Sequence, residues 1–90
     1  MKKAIITVVG KDTVGIIAKV CVYLAENNVN ILDISQTILQ EFFTMTMLVD
    51  VSKSAISFAD LKAALAEKGG DMGLKIRIQS EEIFEAMHRI

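Results

Sequence analysis

The sequence predicts an α+β fold: a ferredoxin-like β-α-β-β-α-β sandwich, with a four-stranded antiparallel sheet, two helices on one face and a short C-terminal helix. Three observations carry this expectation. Four short β-rich runs are interleaved with two stretches of helical period, in the order β-α-β-β-α-β. The second and third runs are separated only by Gln40-Glu41, the length of a hairpin turn. The third and fourth runs alternate apolar and polar residues, so each has one dry and one wet face.

Each element has its own signal. Residues 3–9 are β-rich and weakly alternating, and form the first strand. Over residues 14–28, Ile17, Val20, Cys21 and Leu24 fall at i, i+3, i+4 and i+7, one apolar stripe of a helix. Asp12 or Thr13 is placed to cap its start, and Asn27-Asn28 to end it, because Asn tolerates the left-handed conformation. Residues 30–39 make the second strand and residues 42–51 the third. In the third, Phe43, Met45, Met47, Val49 and Val51 point inward, with Thr44, Thr46 and Asp50 on the other face. Ser57-Phe-Ala-Asp60 resembles a capping box, with Asp in place of Glu. It opens a helix running to Lys68, with Phe58, Leu61 and Leu65 inward and Gly69-Gly70 as its terminator. Residues 74–79 alternate cleanly: Leu74, Ile76 and Ile78 against Lys75, Arg77 and Gln79. From Glu81 to Ile90 the chain reads as a short helix, acidic at its start and carrying His88 and Arg89 in its last turn.

Composition narrows the function classes. Ninety residues suit a single domain over 1–90. The chain is 52% hydrophobic with a net charge of −1, which marks a globular domain. Near-neutral charge lacks the basic face that nucleic acid requires. No apolar run approaches the roughly 18 residues of a membrane span, and the N-terminus does not read as a signal peptide. A single cysteine, Cys21, forms no internal disulfide, so the cytoplasm is the expected compartment.

Most site chemistries that this fold hosts lack their residues. Metal carriage of the Cys-x-x-Cys type needs two thiols, and Cys21 has the phase of a small buried hydrophobe. RNA binding on the sheet needs exposed aromatics, for which Phe42 is the one candidate. Acyl-phosphate chemistry wants an arginine in the first loop, where Lys11 stands; Arg77 and Arg89 lie far along the chain. His88 suits dipole pairing at a helix end, and Glu81, Glu82 and Glu85 suit a solvated first turn. No catalytic, metal or cofactor site is expected.

The first loop is the segment equipped for a ligand. Val8-Val-Gly-Lys-Asp-Thr-Val-Gly-Ile-Ile17 runs from an apolar strand through two glycines into a helix. Gly10 and Gly15 have phosphate-loop spacing, but Ile16-Ile17 stand where that loop requires Lys-Ser/Thr, which removes nucleoside triphosphates. Two readings remain. The glycines serve a turn and close helix–sheet packing, or the helix start holds a small ligand. In the second reading the N–H groups of residues 13–16 face a carboxylate and Asp12 takes an ammonium group, as a zwitterionic amino acid offers.

Gly10-Lys11-Asp12-Thr13-Val14-Gly15-Ile16, followed by a helix and then Asn30-Ile31, resembles the ACT domain, a small regulatory module of many amino-acid enzymes. The likeness spans nearly the whole chain, and Glu41-Phe42-Phe43-Thr44-Met45 is similar to third-strand sequences of the paired ACT domains in glycine-cleavage regulators. Taken whole, the chain is similar to free-standing bacterial ACT proteins. The resemblance implies side-by-side pairing into a continuous sheet, with an amino acid bound at the interface. The implied contacts are Gly10, Asp12, Thr13, Val14, Gly15 and Ile16 of one copy and Asn30 and Ile31 of its mate. Two residues depart from the pattern. Asp12 stands where many amino-acid-binding members have an amide or imidazole, and Val14 where proline is frequent, which leaves the turn less rigid.

The expectation is therefore a non-catalytic regulatory module that binds an amino acid or related metabolite at the interface of a homodimer or higher homo-oligomer. A separate protein partner could read the assembled state. The competing expectations are a purely structural dimer with an empty site and, third, a small enzyme of unrecognised substrate.

Overall fold

The computed structural model describes residues 2–11, 15–71 and 73–81. Its elements are β1 (Lys3–Lys11), α1 (Ile16–Glu26), β2 (Asn30–Leu39), β3 (Phe42–Asp50), α2 (Phe58–Asp71) and β4 (Lys75–Ser80). The strands form one antiparallel sheet in the order β2-β3-β1-β4. This is the predicted ferredoxin-like sandwich. Among the described residues no helix is long and apolar enough to cross a membrane. The expected helix from Glu81 to Ile90 falls, from Glu82 onward, outside the described residues.

Alternation decides which sheet face is dry. Ala4, Ile6 and Val8 on β1 lie opposite Val49, Met47 and Met45 on β3, and Ile6 and Val8 lie opposite Ile78 and Ile76 on β4. All these residues are buried, in one cluster with Val20 and Leu24 of α1 and Leu61 and Leu65 of α2. Both helices therefore cover the same face. The opposite face carries Thr44 and Thr46 of β3 with Lys75 and Arg77 of β4, as expected. Burying a core side chain of this size contributes about 1.5–3 kcal/mol, so the central pair β1–β3 is where the sheet is held most firmly.

The two helices end in the same way. Val29 N–H donates to Leu24 C=O at 2.9 Å and Asn28 N–H to Ala25 C=O at 3.0 Å, with Asn28 at φ 61°. Leu74 N–H donates to Gly69 C=O at 2.7 Å and Gly73 N–H to Gly70 C=O at 3.2 Å, with Gly73 at φ 71°. Both are Schellman motifs, and each places a buried residue, Val29 or Leu74, just beyond the left-handed one. Each motif thus turns a helix end directly into the next strand. Asn28 also donates from Nδ2 to Lys53 C=O at 3.1 Å, and Ala55 N–H donates to Asn27 C=O at 2.8 Å. These bonds tie the α1–β2 turn to the loop that precedes α2.

The strands and helices differ from the sequence reading by one or two residues at several ends, and three of these boundaries correct the roles of glycines. First, α2 runs through Gly69-Gly70 to Asp71, and its left-handed residue is Gly73. Gly69 is instead a packing residue: a Cβ there would meet Ile76 Cγ1 at 3.0 Å and Leu74 O at 3.1 Å. Second, α1 starts at Ile16 rather than at residue 14, because Gly15 takes φ 86°, outside the helical region. Its N-cap is Gly15, with no side-chain cap bond; the capping expected of Asp12 or Thr13 lies outside the described residues. Third, β1 continues to Lys11, so Gly10 is a strand residue opposite Phe43. By contrast, Ser57 caps α2 as expected: Asp60 N–H donates to its Oγ at 3.1 Å.

Gly69→Ala and Gly70→Ala separate packing from helix propensity. Among the described residues a Cβ at Gly70 meets nothing within 4 Å, so Gly70→Ala should stabilise the fold by about 0.5–1 kcal/mol. Gly69→Ala should cost about 1 kcal/mol or more, because overpacking against backbone outweighs the propensity gain. Urea unfolding midpoints measure both, and a Gly69→Ala variant as stable as Gly70→Ala would contradict the packing role.

Candidate functional site

The first loop leaves the sheet at Lys11 and enters α1 at Gly15. The two glycines that frame it do different work. Gly10 sits where a Cβ would overlap the Leu74 side chain, so its smallness lets the start of β4 close over β1. Among the described residues nothing lies within 4 Å of a Cβ at Gly15, and its φ of 86° is what demands glycine. Lys19 N–H donates to Gly15 C=O at 3.1 Å, the first bond of α1. The N–H groups of the first helical turn therefore begin at Ile16 and lack intrahelical acceptors. Together with the helix dipole they offer an anion a partial positive charge. Asp12, Thr13 and Val14 lie outside the described residues, as does the Ile16 side chain.

Asn30 and Ile31 open β2 at the opposite end of the sheet. Asn30 lies opposite Asp50, which in turn lies opposite Lys3, whereas Gly10 lies opposite Phe43. Positions 3 and 10 of β1 are seven residues apart, which at 3.4 Å per residue is about 24 Å. One copy of the chain therefore does not bring the two groups of predicted contacts together.

Neighbours of both halves were not visible in the sequence. The β2–β3 hairpin folds its tip against the end of β1. Lys11 Nζ lies 4.0 Å from Glu41 Oε1 and 5.7 Å from the centre of the Phe42 ring. Both charged groups are well exposed, so the pair contributes at most about 1 kcal/mol; the ladder that sets Lys11 opposite Phe42 is what holds the hairpin at this end of β1. At the other end the Ser52 hydroxyl and N–H donate to Asp50 Oδ1 at 2.7 and 2.9 Å. These two bonds, the hydroxyl's foremost, hold the Asp50 carboxyl below the usual carboxylate range. A fixed carboxylate thus stands opposite Asn30. The missing signal is long-range: only the strand register reveals which residues share a level.

A separate groove of about 470 Å³ lies between the helices, floored by Val20, Leu65 and Ile76. Lys68 crosses it, with Nζ 4.5 Å from the centre of the Tyr23 ring. None of Gly10, Gly15, Asn30 and Ile31 lines this groove. Among the described residues no group of three or more His, Cys, Asp or Glu side chains is placed to hold a metal ion. Cys21 is a half-buried free thiol packed against the core.

A ferredoxin-like sheet with two helices on one face, and a glycine-framed entry into the first of them, defines a small α+β domain. A family model of the ACT domain matches residues 2–79, and the chain belongs to this family of regulatory, ligand-binding domains. A UPF0237 protein of Bifidobacterium longum is 57% identical over 90 residues, covering all of both chains. An ACT domain protein from Streptococcus pneumoniae superposes with a TM-score of 0.81 at 49% identity, over 93% of this chain and 94% of that one. The same fold occurs within a formyltetrahydrofolate deformylase from Pseudomonas syringae, at a TM-score of 0.80 and 22% identity, over 89% of this chain and 28% of that one.

Gly15→Ala tests the loop geometry without altering a packing contact among the described residues. The left-handed conformation should cost the variant about 1–2 kcal/mol in chemical unfolding. A variant of unchanged stability would show that the turn does not require glycine.

Proposed function

We propose that this chain is a non-catalytic regulatory module that binds an amino acid or a related small metabolite at the interface of a cytoplasmic homodimer. One observation carries the reading. The loop from Gly10 to Ile16 and the strand start at Asn30-Ile31 are separated by the length of the sheet within one copy. A second copy reduces this separation if the two chains pair antiparallel along β2, because the loop-bearing end of each β1 then lies at the same end of the joined sheet as its mate's Asn30, three strand spacings (about 14 Å) across.

The open edge of β2 supports this arrangement. Among the described residues no strand pairs with that edge. It is ten residues long and exposes Leu32, Ile34 and Ile38, the last by 72%. A long apolar edge of this kind is a liability unless another chain covers it. In the assembled site, first-turn N–H groups from Ile16 onward face the ligand carboxylate and Asp12 faces its ammonium group. Gly10, Thr13, Val14 and Gly15 shape the loop, and Asn30 and Ile31 of the mate complete it. A ligand that touches both copies favours the assembled state by its differential affinity, and a protein partner sensitive to assembly would read that change.

A thermal-shift series with the twenty amino acids tests the reading. At a hundredfold excess over the dissociation constant a bound ligand stabilises by about 2.7 kcal/mol. For a domain of this size that should raise Tm by about 10–20 °C. Asp12→Ala should abolish the response and leave the dimer intact. No response to any amino acid or related metabolite would replace this reading with that of a purely structural dimer. A monomer by light scattering at micromolar concentration would overturn the dimer itself.

A further inference from the structure

The sheet face opposite the helices has its apolar surface unevenly spread. At the level where the chain leaves β4, Gln79 lies opposite Ile5 and Ile5 opposite Leu48. Leu48 in turn lies opposite Asp33, which follows a bulge between Ile31 and Asp33 on β2. Ile5 and Leu48 thus form an apolar cross-strand pair on this face, and both are half-buried. One level nearer the first loop the row is Arg77, Thr7, Thr46 and Ser35, all polar. One level the other way it is Lys3 and Asp50. Along β4 the same face passes from exposed Lys75 and Arg77 to half-buried Gln79. Glu81, the last described residue, already has helical backbone. Residues 82–90 follow it. In the helix that their sequence predicts, Ile83, Met87 and Ile90 fall at i, i+4 and i+7, one apolar edge.

We infer that residues 82–90 continue as a helix that crosses this open face from β4 toward β2 and covers Ile5 and Leu48. Length supports the assignment. From Glu81 to Ile90 a helix rises about 14 Å, or three strand spacings of about 4.8 Å, which takes it from β4 to β2. Ile83 then stands about 3 Å along it, between β4 and β1 and beside Ile5. Met87 stands about 9 Å along it, over β3 and Leu48. Charge supports the same placement. β1 and β2 are parallel, and the crossover through α1 that joins them is right-handed by the rule for such units. That handedness sets which flank of the helix faces which row. With Ile83, Met87 and Ile90 turned to the sheet, right-handed winding points Glu82 toward Arg77 and His88 toward Asp50. Glu82 thereby meets an arginine, and His88, whose ring N–H donates, meets a carboxylate. This placement leaves the edge of β2 free and does not depend on the homodimer reading.

Thiol bridging tests the placement. Cysteine pairs are made in a Cys21→Ser background and treated with a short bis-maleimide. Mass spectrometry counts chains whose two thiols are joined by one reagent. Leu48→Cys with Met87→Cys should be bridged within one chain at least ten times faster than Met87→Cys with either Thr44→Cys or Val22→Cys. Thr44 lies about 14 Å from Leu48 along β3, and Val22 lines the groove between the helices. Ile5→Cys with Ile83→Cys is a second pair with the same expectation, independent of any effect of Leu48→Cys on folding. Faster bridging through Val22→Cys would overturn the placement in favour of that groove, and through Thr44→Cys in favour of a helix laid along the strands. Bridges that join two chains would overturn it in favour of a tail docked on a second copy. No bridging in any pair, in variants that still unfold cooperatively, would overturn docking altogether. A charge exchange tests the orientation. Glu82→Lys should slow bridging of the Leu48→Cys and Met87→Cys pair by up to about fivefold, the size of an exposed ion pair. Adding Arg77→Glu should restore the rate, and failure to do so would overturn the pairing of Glu82 with Arg77.

Discussion

The antiparallel register of β1 against β3 determines where everything else in this molecule lies. Ile6 opposite Met47 and Val8 opposite Met45 form the fully buried centre of the sheet. A slip of one residue would turn every one of these side chains to the wet face. With that register fixed, β4 lines up against the other side of β1, and β2 is carried by β3 at the opposite edge. The first loop is thereby held at the end of the sheet where Lys11 meets Phe42. Asn30 is held at the end where Asp50 meets Lys3. The separation of the two candidate half-sites is a consequence of core packing rather than of either half-site's own sequence.

The helix ends transmit this constraint. Two Schellman motifs turn α1 into β2 and α2 into β4, and each buries the first residue after the left-handed position. Gly69 lets α2 settle against β4, and Gly10 lets Leu74 settle over β1. Gly10 and Gly69 serve close approach, Gly15 and Gly73 left-handed turns, and Gly70 neither. The hairpin tip uses a different residue, with Gln40 at φ 56° and Glu41 reaching Lys11.

Much of this was legible in the sequence because alternation and helical period report burial directly. The five residues read as inward in the third strand, from Phe43 to Val51, are all buried, although β3 itself ends at Asp50. The span of β2 is likewise as read, since Asn28 before it and Gln40 after it both interrupt extended backbone. Glycine roles were harder. Gly69-Gly70 has the local pattern of a helix stop, but its use depends on Ile76 and Leu74 across the turn. Gly10 depends on the same leucine. The candidate site was legible only in halves. The loop announced itself by its glycines, whereas Glu41, Phe42 and Asp50 become neighbours of the two halves through strand pairing. The bulge at Leu32, which limits the free edge, had no sequence signal of its own.

The central claim is that each ligand site is divided between two copies of the chain, and subunit mixing tests it most directly. Asp12→Ala removes the loop half and Asn30→Ala the strand half. Each variant by itself should give no thermal response to whichever amino acid stabilises the unmodified chain. After the two are mixed and allowed to exchange subunits, half of the dimers are mixed and each regains one intact site. Titration calorimetry should then recover about one quarter of the original binding stoichiometry, at the original affinity. Recovery of none of it, from dimers shown to have exchanged, would contradict a site divided in this way.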